Sequence, residues 1–121
     1  PHQVIELIKN SESNGCKLFI AAAGMAAHLA GAVAAHSLKP VIGIPIESGG
    51  LGGLDSLLST AQMPPGIPVA TVAVGKAGAK NSAILAIQML AISDEALAEK
   101  MSDFRQNMTN EVLEKNKKLN S

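Results

Sequence analysis

The sequence predicts a three-layer α/β domain built on a parallel sheet, and two observations carry that prediction. Short apolar runs unbroken by charge recur at 18–21, 41–46 and 69–74, as strands covered on both faces require. Segments of helical periodicity with short connections alternate with them. The resulting order is helix, strand, helix, strand, helix, strand, helix, helix, which calls for parallel strands joined by right-handed crossovers.

Taken in order, residues 2–13 (HQVIELIKNSES) place Val4, Ile5 and Ile8 on one helical face with Leu7 beside them, and Pro1 suits the first helical position. Asn14-Gly15 ends that helix. The first strand is expected over Lys17–Ala22. A helix over 26–37 follows, nearly all Ala, Leu, Val and Gly apart from His28 and His36. So apolar a helix is expected to be buried on most sides, against another subunit.

The second strand is Val41–Ile46, where Pro45 is tolerable only if no ladder hydrogen bond is needed from it. A glycine-rich loop then feeds a third helix from Gly53 to Gln62, and Met63-Pro64-Pro65-Gly66 forces a turn. Val69–Val74 is the third strand. Gly75-Lys76-Ala77-Gly78 connects it to an apolar helix over 81–92. Ser93 is expected to cap the last helix, with Asp94 and Glu95 favourable in its first turn and Lys115, Lys117 and Lys118 near its end. Its apolar residues, Leu97, Met101, Phe104, Met108 and Val112, form one stripe, so this helix packs by one face only.

The 121 residues bound a single domain, 1–121, with one hydrophobic core. Ten basic and ten acidic residues cancel, which leaves no electrostatic case for nucleic acid or an anionic membrane. With two Phe and no Trp or Tyr, stacking platforms for single strands are absent too. The single Cys16 excludes an internal disulfide, fits a reducing, cytoplasmic compartment, and reads as a small apolar filler before a strand rather than a nucleophile. No apolar run has the length of a membrane span. Because the chain opens on Pro1 rather than Met, upstream sequence is expected to be missing.

Function centres on Leu18–Gly31, LFIAAAGMAAHLAG. A buried strand runs into a small-residue turn and then a helix carrying His28 just inside its first turn. Backbone N–H groups at such a helix start face whatever lies above the strand ends. His28 is either a satisfied structural group or a ligand contact, since open parallel sheets bind ligands outside the carboxyl ends of their strands. His36 reads as structural or interfacial. GGLGG at 49–53 lacks the spacing and acidic partner of a nucleotide fingerprint, so mobility or close backbone approach is its reading. VGKAGAKNS at 74–82 lacks the ending of a Walker loop, leaving Lys76 and Lys80 as a solvated helix start. Glu47 and Asp55 are open as ligand contacts, and Asp55 equally as a helix cap. There is no zinc spacing, nucleophile elbow or helix-face carboxylate pair.

Three segments go further: AAAGMAAHLAG at 21–31, the run from Pro40 to Ala83 containing GLDSLLS, QMPPGIPV and GKAGAKN, and TNEVLE at 109–114. Together they closely resemble the PurE family of N5-carboxyaminoimidazole ribonucleotide mutases, over essentially the whole chain. The AHL segment is similar to the class that isomerises the carbamate rather than the animal-type class that carboxylates aminoimidazole ribonucleotide with free CO2.

The resemblance implies a five-stranded flavodoxin-like sheet, here without the family's first two strands, and a homo-octamer in which the C-terminal helix packs on a neighbouring subunit. It implies a small-molecule nucleotide substrate and a reaction without metal or cofactor. On this reading the N5-carboxylate leaves as CO2, held in a small dry pocket until C4 attacks it. Ala22, Ala23, Gly24 and Met25 would line that pocket, Ser48 and Leu51 would contact substrate, and His28 would be a site histidine rather than the principal proton-transfer group.

The family's GSxSD loop and its SAHR segment, which carries the principal histidine, have no counterpart in the 121 residues. This segment alone is therefore expected to be inactive. Ala30 stands where the family usually has Pro, and Pro65 where a basic residue is common. The alternatives are a non-catalytic oligomeric scaffold on the same fold and the carboxylase chemistry.

Overall fold

Residue type and pairing place β2 at the centre. The computed structural model describes residues 2–24 and 28–120. Its contacts divide the chain into two units, 1–86 and 87–121. In the first, α1 (His2–Ser13), β1 (Phe19–Gly24), α2 (Leu29–His36), β2 (Val41–Ile46), α3 (Leu54–Ala61) and β3 (Ala70–Thr71) follow one another, and α4 (Lys76–Ala91) begins. The sheet is wholly parallel in the order β1-β2-β3, with Phe19 opposite Val41 and Gly43 opposite Thr71. This is the α/β architecture expected, consistent with a flavodoxin-like sheet.

Strand alternation sorts the side chains. Phe19, Ala21 and Val41 pack with Ile8 of α1 and with Ala30 and Val33 of α2 in one core. Gly43 faces the same way, and there a Cβ would overlap Thr60 Cγ2 and crowd Val69 and Ala30. On the opposite face Ile42 is fully buried while Ile20 of β1 is 45% exposed. The outer edge of β1 pairs with no other strand among the described residues. Ile42→Val, which removes one methyl from the best-buried site of the sheet, is expected to cost about 1 kcal/mol, read as a lower denaturant midpoint at unchanged m-value.

Several boundaries differ from expectation. Strand β1 runs from Phe19 to Gly24, not from Lys17 to Ala22, because Phe19 N–H already donates to Pro40 O at 2.9 Å and the ladder continues to Gly24–Ile46. The described part of the second helix starts at Leu29, and His28 is its N-cap residue rather than a first-turn residue. Pro1, Ala26 and Ala27, which the sequence pattern places in helices, lie outside the described residues. Only Ala30 and Val33 of α2 are buried; the helix shelters one stripe within this chain, not most of its surface.

Regular β3 pairing stops at Thr71, not Val74. Pro45 explains it. In a parallel ladder the rung after Gly43–Thr71 would have residue 45 donate its N–H to Val72 O, and proline has none to give. The Pro45 carbonyl instead accepts from Gly75 N–H at 2.9 Å. Helix α4 starts at Lys76, five residues before the expected 81, with Ala79 N–H donating to Gly75 O at 3.0 Å.

In the second unit α5 spans Glu95–Asn120. Its cap is Asp94, whose Oδ1 accepts from Leu97 N–H at 3.2 Å; Ser93 sits one residue too early to reach that donor. Leu97, Met101 and Phe104 are half-buried, while Met108 and Val112 are 50% and 65% exposed. The stripe is thus partly sheltered in its first half only.

Candidate active site

The carboxyl ends of β1 and β2 converge on one place. Gly24 ends β1 against the loop after β2: a Cβ there would overlap Ser48 Oγ and lie 3.3 Å from Ile46 O. Only glycine lets the two chain segments approach so closely. Four residues beyond Gly24, His28 opens α2 with φ −101 and ψ 31, and its carbonyl accepts the first helical bond from Ala32 N–H at 2.7 Å. Its imidazole is exposed and makes no capping bond. Among the described residues no hydrogen bond holds the ring.

From β2 the chain enters Glu47, Ser48 and the glycine loop. Gly49, Gly50, Gly52 and Gly53 all have positive φ, from 65 to 91, a conformation that other residues adopt at a cost. Gly53 is the N-cap of α3 and packs on Val74, where a Cβ would find Val74 Cγ2 at 3.3 Å. One turn into the helix, Ser56 is 1% exposed and donates from Oγ to Ile46 O at 2.8 Å. That bond fixes the start of α3 to the end of β2. Leu51, at the loop's centre, is 66% exposed.

Asp55 resolves the choice left open by the sequence. It is the second residue of α3, two past the cap position held by Gly53, and the helix start has no side-chain cap bond. Its Oδ1 is buried without a hydrogen-bond partner, as is Ser48 Oγ. The signal in the sequence was the Gly52-Gly53 pair, which takes the cap position for itself.

Of the residues assigned to the site, Ala22, Ala23, Gly24, His28, Ser48 and Leu51 lie at this carboxyl edge, on β1, at the start of α2 and in the loop after β2. Met25 lies outside the described residues. Gly75 and the start of α4 follow the end of β3, so Lys76 and Lys80 belong to an exposed helix start, as expected. His36 is elsewhere: its Nδ1 bonds Ala32 O at 2.8 Å at the far end of α2. It helps line a half-open concavity of about 890 Å³ with Glu12, Lys39, Pro40 and Ile67. That concavity lies by the amino ends of β2 and β3, and its Glu12 carboxylate already accepts from Ser37 Oγ. Parallel sheets bind their ligands at the other end, which makes the carboxyl edge the candidate site.

Among the described residues no group of three or more His, Cys, Asp or Glu is placed to hold a metal ion, and no helix is long and apolar enough to cross a membrane.

The fold is that of an α/β protein whose candidate ligand site combines strand-end backbone, small side chains and one exposed histidine. Comparison with known proteins makes this particular. The chain belongs to the AIR carboxylase family, whose model matches residues 1–111. It is 50% identical over 114 residues to the N5-carboxyaminoimidazole ribonucleotide mutase of Escherichia coli K12, covering 94% of this chain and 68% of that protein. The mutase of Haemophilus influenzae is 51% identical over 94% of this chain and 70% of its own length. That of Bacillus subtilis is 48% identical over 98% and 74%.

Proposed function

We propose that the protein is an isomerase of purine biosynthesis that converts N5-carboxyaminoimidazole ribonucleotide to the 4-carboxy isomer. The single observation that carries this reading is the identity of about half of all residues to mutases over nearly the whole chain. The carboxyl-edge geometry supports it: the small residues Ala22, Ala23 and Gly24 end β1 at the same edge as the exposed His28.

The chemistry closes on itself. The N5–carboxyl bond breaks, N5 gains a proton and CO2 is freed; C4 then attacks that CO2 and gives up its own proton. One proton is taken and one returned, so the balance needs no oxidant, reductant or second substrate. What the protein must supply is retention of CO2 and correct placement of C4, which converts recapture into an intramolecular step. We assign the retaining wall to Ala22, Ala23, Gly24 and Met25, substrate contacts to Ser48 and Leu51, and the edge of the pocket to His28.

A cytoplasmic homo-octamer acting on a nucleotide substrate belongs to the same reading, with the partly exposed stripe of α5 as a contact between copies. The test is an assay of the complete protein with N5-carboxyaminoimidazole ribonucleotide. Appearance of the 4-carboxy product without added bicarbonate is expected. The family description names a carboxylase, and turnover only of aminoimidazole ribonucleotide with added CO2 would establish that chemistry instead.

A further inference from the structure

Three features of residues 48–55 bear on how the loop behaves. The first is that Ser48 Oγ and Asp55 Oδ1 are both buried without a hydrogen-bond partner. Buried polar atoms are nearly always paired, and two orphans on one short segment are a conspicuous exception. The second is the loop between them. Its ends are held, Ser48 against Gly24 and Gly53 against Val74, but a Cβ placed on Gly50 or Gly52 meets no atom within 4 Å. The third is Leu51, 66% exposed at the middle of that unsupported stretch.

One motion would satisfy all three. Glycines at 49, 50, 52 and 53 can exchange positive for negative φ at little steric cost, so the peptide groups between the two fixed ends can rotate. Inward rotation brings loop N–H donors toward Asp55 and Ser48 and carries Leu51 out of water over the strand ends. We propose that the 49–53 loop is a lid and that Asp55 is the positioning residue that latches it closed. Asp55 acts as acceptor for loop backbone N–H groups and acts on the reaction only through Leu51. The inference rests on the isomerase reading, in which CO2 must be kept from solvent during its brief freedom.

The experiment runs the isomerisation in buffer containing ¹³C-bicarbonate and measures label in the product, which reports CO2 lost and replaced. In the complete protein, Asp55→Ala and Leu51→Ala are expected to raise label per turnover about 10-fold, with KM changed by less than about 2-fold in Asp55→Ala. Asp55→Asn keeps an acceptor oxygen and is expected to restore retention to within about 3-fold of the parent. Labelling that stays at the parent level in both alanine variants overturns the latch while leaving the isomerase reading intact. A parent protein that does not isomerise overturns that reading instead, and the lid is then judged by amide hydrogen exchange. Aminoimidazole ribonucleotide should slow exchange at 49–53 by about 10-fold in the parent and not in Asp55→Ala; no slowing in the parent overturns the lid.

Discussion

Gly78→Ala is expected to destabilise the protein by about 3 kcal/mol, although helix propensity alone argues for a gain of about 1 kcal/mol. Gly78 is buried in the first turns of α4. A Cβ there would overlap the carbonyl oxygen of Ala73 and reach the carbonyl carbon at 2.7 Å. Those are backbone atoms with no rotamer to yield, so the start of α4 or the segment after β3 must shift. That segment is held at both ends: Gly75 N–H on Pro45 O at 2.9 Å, and Ala79 N–H on Gly75 O at 3.0 Å. Thermal unfolding should show a fall in Tm of about 10 °C. Because Val74 supports Gly53 at the foot of the glycine loop, activity should fall with stability. A Tm equal to or above the parent's would show that α4 tolerates the methyl and that the close approach to Ala73 is not required.

His28→Asn is expected to lower isomerisation by about 10²-fold, at the lower end of what loss of an acid–base or polarising imidazole costs, while leaving the fold at least as stable. The substitution is chosen for its position. His28 is the N-cap of α2 and makes no side-chain cap bond, whereas asparagine is among the best N-cap residues, worth about 0.5–1 kcal/mol over a residue that does not cap. Structural and functional roles therefore predict opposite signs. A structural histidine would leave activity near the parent's; a site histidine gives a protein with an unchanged or higher Tm that turns over slowly. Activity within about 2-fold of the parent would remove His28 from the mechanism. His36→Asn serves as the companion variant. His36 lines the concavity by the amino ends of β2 and β3, and its replacement should leave turnover unaffected.

Local sequence determined a great deal here. The apolar runs at β1 and β2 and the alternation of helix with strand make the parallel α/β class legible without coordinates, because burial on both faces demands such runs wherever they fall. The placement of Ala22, Ala23, Gly24, His28, Ser48 and Leu51 at one edge follows from the same alternation, since every strand of a parallel sheet ends on the same side. What sequence could not decide were features set by which backbone group finds which partner. Pro45 ends β3 at Thr71 by withholding a donor from a neighbouring strand. Gly78, which reads as a connector by propensity, lies inside α4, where Ala73 leaves no room for a Cβ. Asp94 rather than Ser93 caps α5 because a difference of one residue decides which oxygen reaches Leu97 N–H. Asp55 was ambiguous until the turn before α3 was seen to give its cap to Gly53, leaving a buried carboxylate oxygen unpaired. Composition and periodicity report which surfaces must be covered; only tertiary contact reports which backbone groups find partners, and that is where the fine structure of this site is decided.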